Sequence, residues 1–472
     1  MIATDRVRYS TTQTGVLSGL PGPFTFSSEY DTSFVQSGTS FGPLPESGYS
    51  VTAADGSVAY FYVSDAPARF GHCMPIGVGN FTDVDGNNST LASAASQCYT
   101  LAEWDFFADD DALQQAPLAW SWLSGQSSYN VSTVEIQAGV QYAHSLGLTA
   151  IAYKNLAYDY SNNGVAYETL REHPDWCAWD SQNVSSTGSG QYYLATGNPG
   201  LIDYHCAQLS AARSFFGFDG FRDDATYVYD TVNNTSIFAQ IRAAAGTLGQ
   251  NTEMWQFDLP VYTAMPISNP LFTGDYYSEV AAGESIILHE RFFDSLFGQP
   301  WSLIASNIAA AGRNAWRAGG NAYLIARLNS VSTIDSTIVL ALMLSNQCHV
   351  YGSINTSQAE YLQFACRYAR LIWGKNAQPI AVTTTAGWVN AFALDGIYYC
   401  HVVNQPTNAN AVNSTLAPIT PTITFTVPTA ITAAWVLTAD GGISKTSVPF
   451  TQVGSSVIVT ASVDIWSIIV IE

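Results

Sequence analysis

At 472 residues the chain is too long for one small domain and has room for a barrel with accessory domains. Charged residues make up 11% of it, far below the ~25% usual for globular proteins, and the formal net charge is −21. That balance argues against a nucleic-acid binder, which needs a basic footprint, and against an anionic membrane surface as partner; abundant aromatics argue against disorder.

Ser, Thr, Asn, Gln and Tyr take the place of charged residues, and lysine is confined to Lys154, Lys375 and Lys445. A surface with few ionisable groups loses little when carboxylates protonate, which would suit an acidic medium. The cysteines (Cys73, Cys98, Cys177, Cys206, Cys348, Cys366, Cys400) show no Cys-x-x-Cys or metal-type spacing, and their odd number leaves at least one unpaired. Asn-x-Ser/Thr sequons recur from Asn80 to Asn413, and the N-terminus carries no apolar signal core. The expected location is extracellular, or at a cell or particle surface, reached with a leader this sequence lacks or by another route. No apolar run is long enough to span a membrane.

Residues 1–65 are rich in Ser, Thr, Gly and Pro, with Ser57–Val63 as the clearest strand, and read as an N-terminal β region. Phe70–Phe81 holds a first barrel strand. The stretch Asp83–Asn130, with Trp104, Trp120 and Trp122, reads as a surface helix pair with core tryptophans, although its acidic and aromatic residues would also suit a sugar site. From Ser132 a rhythm sets in. Val134–Leu146 has helical spacing and stops at Gly147, and Leu148–Asn155 is a buried strand. A loop-like segment over Ser161–Tyr193 follows, of a length that builds or covers sites. Asn198 caps the next helix with Pro199 in its first turn. That helix delivers the strand Gly217–Asp224.

Alternation continues with helices at Thr235–Ala245 and 271–283, strands at Thr252–Asp258 and Glu284–Glu290, and a long amphipathic helix at Trp301–Ala318. Next come a strand at Asn321–Leu328, a helix at Ile334–Asn346, a strand at His349–Tyr351 and a helix at Ser357–Trp373. Strands alternating with helices imply βαβ units and a parallel sheet, and the count leaves room for a (β/α)8 TIM barrel over 66–375. A doubly wound open sheet is the rival, but no GxGxxG or phosphate loop follows an early strand. From 376 to 472 short strands (Pro379–Thr384, Gly387–Leu394, Gly396–Val403, Thr422–Val427, Ala433–Leu437, Val457–Thr460, Ile465–Ile471) predict a C-terminal antiparallel β-sandwich. The fold class is α/β.

Chemistry concentrates in Phe216-Gly-Phe-Asp-Gly-Phe-Arg-Asp-Asp224, a short apolar strand ending in charges, which is how a barrel presents catalytic groups. Breaking a glycosidic bond needs an ionised carboxylate and a protonated one. Asp224 fits the first role, and Arg222, two residues earlier on the same strand face, would hold it ionised; the plain structural reading is a buried Arg222–Asp224 ion pair. Asp223 falls on the other face. For the acid, Glu290 closes an apolar strand with His289 beside it, Glu279 is the rival if its own segment is a strand, and Glu253 sits early in its strand. Substrate contacts are expected from Arg222, Tyr153, Lys154, Asn155, Tyr158, Trp179, Tyr227, Trp255, Asp258 and His289, near strand ends or in loops. Any single aromatic among them is as easily a core residue.

Gly217-Phe-Asp-Gly-Phe-Arg-Asp-Asp224 resembles the fourth-strand motif of α-retaining glycoside hydrolases, Gly-hydrophobic-Asp-Gly-aromatic-Arg-x-Asp. The resemblance implies a nucleophile at Asp224 and a supporting arginine at Arg222. Ala143–Asn155 and Asn198–Tyr204 are similar to the third-strand region of glycoside hydrolase family 66, the dextranase family, whose acid/base Glu lies in a Tyr-x-Glu context that Tyr277-Ser-Glu279 partly matches. That choice opposes the strand-based preference for Glu290. The end of the chain, Asp464–Ile471, resembles the C-terminal domain of amylase-type enzymes; the amylase-type His-Asp pair after the nucleophile strand is absent.

The expected function is a two-carboxylate, retaining glycoside hydrolase acting on an extracellular polysaccharide or glycan. No organic cofactor and no catalytic metal are called for, and no calcium-loop signature is present. The alternative is a non-catalytic carbohydrate-binding or surface protein on a barrel scaffold. A barrel hydrolase of another bond type has no Ser-nucleophile motif or metal-ligand cluster in its favour.

Overall fold

The computed structural model describes residues 2–19, 22–28, 33–65, 71–76, 84–104, 120–124, 127–131, 133–155, 158–160, 173–176, 191–193, 198–224, 254–258, 286–289, 300–317, 321–325, 336–355, 358–374, 376–406 and 416–472. The chain forms two compact units, one of Met1–His72, Phe292–Asn314 and Leu324–Glu472, the other of Cys73–Arg291 and Ala315–Tyr323.

Strand pairing closes His72–Ile76, Tyr99–Trp104, Thr149–Asn155, Gly220–Asp224, Met254–Asp258, Ile286–His289, Asn321–Ile325 and Cys348–Tyr351 into a barrel, in that order around the ring. The ladders joining the second to the sixth of these strands are all parallel. Described helices separate most of the strands: Val84–Ser96, Thr133–Ser145, Pro199–Phe216, Trp301–Arg317 and Ser336–Ser345. The helices expected at 235–245 and 271–283 lie outside the described residues.

Where a helix pair was expected over Asp83–Asn130, the described residues form the helix Val84–Ser96, the second barrel strand Tyr99–Trp104 and a hairpin of Trp120–Ser124 with Ser127–Val131, and residues 105–119 lie outside the described residues. All six residues of Tyr99–Trp104 are buried. A strand covered on both faces has no polar alternation, so periodicity does not reveal it.

In the second unit the helix Thr133–Ser145 buries Ile136, Val140 and Ala143, the Ile and Val side chains each contributing about 1.5–3 kcal/mol when fully withdrawn from water. In the first unit the helix Ser336–Ser345 is apolar all round and buried from Ile338 to Ser345, as a core helix must be. The single helix expected over Ser357–Trp373 is two, Ala359–Arg367 and Ala369–Trp373. The break is at Tyr368 (φ −113, ψ 33), a buried residue whose N–H still donates to the Phe364 carbonyl.

The N-terminal residues form a five-stranded sheet, in order Arg8–Tyr9, Val58–Val63, Ser47–Thr52, Phe24–Ser28 and Ser33–Gln36, and a three-stranded one. Their core is aromatic: Tyr9, Phe24, Phe26, Phe41, Tyr49 and Phe61. Gly48 lies so close to the Cys366 carbonyl oxygen that no side chain fits there.

The C-terminal residues form two antiparallel sheets around one core that includes Cys400, Val402, Ile423, Phe425, Val457, Val459, Ile469 and Ile471. The six-stranded sheet runs Gln378–Pro379, Trp388–Leu394, Ile397–Val403, Trp466–Ile471, Ala434–Thr438, Ser444–Ser447; the four-stranded sheet runs Val382–Thr384, Thr422–Thr426, Ser456–Thr460, Phe450–Val453. The strand expected over Pro379–Thr384 is therefore two strands in different sheets. Ser444–Ser447 and Phe450–Val453 escape sequence reading because their polar residues give no apolar alternation. Among the described residues Cys73, Cys98, Cys348, Cys366 and Cys400 are all buried, and burial pushes the Cys400 thiol up to about 12. Cys177 lies outside the described residues.

Candidate active site

The charged strand is delivered by well-marked local chemistry. Asn198 sits in extended geometry, and its Oδ1 accepts from the N–H groups of Gly200 (2.8 Å) and Leu201 (3.3 Å), satisfying two donors that a helix start leaves open. Its amide donates in turn to the Asp175 carbonyl and carboxylate, both at 3.1 Å. Trp176 stacks on His173 at 4.0 Å and tilts against Tyr204 of the helix at 5.2 Å. This part of the long segment before the helix is thus tied to the helix N-terminus. At the other end Gly217 adopts φ +84, and its N–H closes the last turn on the Arg213 carbonyl. Glycine takes that left-handed geometry without steric cost.

Phe218 then packs edge-on against Trp104 (5.8 Å) and tilts against Phe216 (5.7 Å). Asp219 follows with a structural task. Its Oδ2 accepts from the Ala150 N–H at 2.8 Å and lies 2.8 Å from His144 Nε2, while its own N–H donates to the Ala150 carbonyl at 2.8 Å. One carboxylate therefore pins the start of the fourth barrel strand to the third strand and to the helix before it. Asp219→Ala strands the buried Ala150 N–H and should cost about 2 kcal/mol. The readout is the urea midpoint, and an unchanged midpoint would remove this role.

Beyond Asp219 the register orders the candidate residues in levels. Tyr153 is opposite Arg222, Lys154 opposite Asp223 and Asn155 opposite Asp224. Arg222 is opposite Gln256 and Asp223 opposite Phe257, and Asp258 is opposite Leu288. Since the strands are parallel, Asn155, Asp224, Asp258 and His289 all fall at or next to the same, C-terminal, end of the sheet.

Which face is which follows from Trp104. Its ring lies against Gly139 of the helix Thr133–Ser145, where an added Cβ would approach the indole to 3.3 Å. The face of Trp104 is therefore the helix-packed one. Trp104 pairs with Ala152, Ala152 with Phe221 and Phe221 with Trp255. Strand positions alternate, so positions 154, 223, 255 and 289 belong to the helix-packed face. Positions 153, 155, 222, 224 and 258 belong to the opposite one, together with Glu103, Ile151 and Gly220, which are register partners. The backbone thus brings Tyr153, Asn155, Arg222, Asp224 and Asp258 onto one face, and sets Lys154, Trp255 and His289 on the other. Tyr158 lies in a separate antiparallel pair of strands, Tyr158–Tyr160 with Gln191–Tyr193, opposite Tyr193. Glu290, Glu279, Glu253, Trp179 and Tyr227 lie outside the described residues.

Sequence reading overlooked Glu103. It is wholly buried in the second strand. Its signal was present in Tyr99-Thr-Leu-Ala-Glu-Trp104, an apolar run closing on a carboxylate like the one that singled out Asp224. Among the described residues no group of three His, Cys, Asp or Glu side chains is arranged to hold a metal ion, and no helix is long and apolar enough to cross a membrane.

No family model matches the chain, and no curated protein matches it by sequence. Solved structures do. A cycloisomaltooligosaccharide glucanotransferase from Paenibacillus sp., complexed with cycloisomaltoheptaose, superposes with TM-score 0.72 at 11% identity over 99% of each chain. The chain has an amylase-like barrel fold. A maltogenic α-amylase from Thermotoga neapolitana aligns at TM-score 0.57 and 11% identity, over 85% of this chain and 98% of the other. An α-amylase from Lactobacillus plantarum aligns at 0.57 and 13%, over 86% and 99%. These neighbours are amylase-like barrels with C-terminal β domains. Identities this low establish a shared fold, and chemistry has to be argued from the site.

Proposed function

We propose that the protein is an enzyme that cleaves glycosidic bonds in an extracellular polysaccharide or glycan, by a retaining two-carboxylate mechanism. The observation that carries this reading is the position of Asp224. It ends the fourth barrel strand, in register with Asn155 and on the face opposite the helices. In this reading the Asp224 carboxylate attacks the anomeric carbon. The glycosidic C–O bond breaks, and its electrons pass to the leaving oxygen, which takes a proton from Glu290 or Glu279. A water molecule, deprotonated by that same Glu, then cleaves the glycosyl ester and restores Asp224. Arg222 holds Asp224 ionised. Tyr153, Asn155 and Asp258 line the sugar from the same face, and Tyr158, Trp179 and Tyr227 contribute from the segments beyond the strands; Lys154, Trp255 and His289, on the helix-packed face, have no part in this reading. The reading assigns 1–65 to an N-terminal β region, 66–375 to the catalytic barrel and 376–472 to a β-sandwich.

Glucans are the substrates to test first, because the structural neighbours are a glucanotransferase and α-amylases. The kinship to glycoside hydrolase family 66 that the sequence motifs suggest fits the glucanotransferase neighbour. A transferase neighbour also admits a sugar hydroxyl in place of water in the second step. The test is product release from a panel of α- and β-glucans across pH, with NMR of the first-formed anomer. Release of a product with the substrate's anomeric configuration is expected. Inversion would replace the nucleophilic role of Asp224 with that of a base, and no cleavage or transfer on any glucan or glycan of the panel would sink the proposal.

A further inference from the structure

We propose that Glu103 is the buried counter-ion of Arg222 and, resting on the function proposed above, a positioning residue for Asp224. Glu103 is 0% exposed, in a strand whose six residues are all buried. An ionised carboxylate taken out of water costs several kcal/mol unless an opposite charge compensates it. The choice of partner is narrow. In the described barrel strands of this unit only Lys154 and Arg222 are lysine or arginine. The register sets Lys154 on the face of Trp104, against the helices, and Arg222 on the face of Glu103.

The register brings the two within reach across the strand that carries Ile151 and Tyr153 on the same face. Glu103 is level with Ile151 and Gly220, and Arg222 stands two residues beyond Gly220 in the same strand. Gly220 has no side chain to fill the space along that face. Two strand spacings across and two residues along give about 12 Å between the Cα positions of Glu103 and Arg222. An arginine and a glutamate joined by a hydrogen bond cover that span.

Arg222 then lies between two carboxylates, Glu103 behind it and Asp224 two positions ahead. Glu103 balances part of the guanidinium charge and fixes its direction. Without that balance the full positive charge falls on Asp224, which holds its ionised form more firmly and makes it a weaker nucleophile.

The pairing can be tested without any activity. Thermal unfolding of Glu103→Gln, Arg222→Met and the double variant forms a cycle. Arg222→Met strands a buried carboxylate, and adding Glu103→Gln should raise the melting temperature above that of Arg222→Met by more than about 3 °C. Melting shifts that simply add overturn the pairing, whatever the protein cleaves. The positioning role is read from pH profiles on an active glucan. Glu103→Gln should move the acid limb of kcat/KM to lower pH and reduce kcat more than it changes KM, and Glu103→Asp should restore the wild-type limb. An unchanged limb, with activity scaled only to the folded fraction, overturns the positioning role. A coupled melting cycle in a protein inactive on every glycan would leave the pairing standing, overturn the positioning role and sink the proposed function.

Discussion

Asp224→Asn is expected to abolish turnover, by at least ~10⁴-fold in kcat, while the protein stays folded. The amide keeps the shape of the carboxylate but carries no charge, and it cannot form a glycosyl ester that water resolves. The fourth strand should persist, because it is held by backbone ladders on both sides and by the Asp219 clamp at its start. Initial rates on the most active glucan, with circular dichroism and melting as fold controls, measure the effect. Residual turnover above about 1% would remove Asp224 from the nucleophile's place. Equal carbohydrate binding in both proteins, with turnover in neither, would favour a binding protein on a barrel scaffold.

The second large effect is a loss of stability in acid, and it runs against the tolerance suggested by the sparse surface charge. Three histidines of the first unit, His72, His349 and His401, are wholly buried. His349 lies flat on Trp373 at 4.5 Å with its Nδ1 on the Gly71 carbonyl, and His72 meets the same indole edge-on at 5.6 Å. His72 Nδ1 accepts from the Val350 N–H at 3.0 Å, which requires that nitrogen to be unprotonated. His401 stacks on Trp466 with Nε2 3.1 Å from the Leu371 carbonyl. Burial pushes His349 down to about 3 and His401 down to about 4, each opposed by its carbonyl contact. It pushes His72 well below the ordinary 6.5, with the charge of His349 acting in the same direction.

Above pH 6.5 these rings are neutral folded and unfolded alike, so they impose no cost. As the pH falls from 6.5 towards 4 the unfolded chain takes up protons that the folded one refuses, and stability drops. Well below pH 6.5 each ring costs about 1.4 kcal/mol per pH unit, and half that at 6.5 itself, so three cost on the order of 5 kcal/mol between pH 6.5 and 5. That is comparable to the whole stability of a typical domain, about 5–15 kcal/mol. Urea unfolding at pH 7.5 and 5.0 should show it, and His349→Phe should remove about a third of the slope. A denaturation midpoint that does not move over this interval would contradict neutral burial of the three rings.

The sequence by itself determined the local events. Asn198 followed by Pro199 starts a helix and Gly217 stops it, because a cap oxygen, a fixed φ and a left-handed turn act within a few residues. The alternation of helix and strand was legible for the same reason, as was the charged end of the strand at Arg222 and Asp224. Tertiary structure decided what local pattern does not encode. Tyr99–Trp104 is a strand because two layers cover it, which erases the alternation that would have announced it. Residues 379–384 divide between two sheets because their partners, Trp388–Leu394 and Thr422–Thr426, lie in different ones. The histidines became acid-sensitive only when packing removed their water. The choice of face at the candidate site was settled by one distant contact, Trp104 against Gly139. Through the register of strands far apart in sequence, that contact places Arg222 and Asp224 on the side of Glu103.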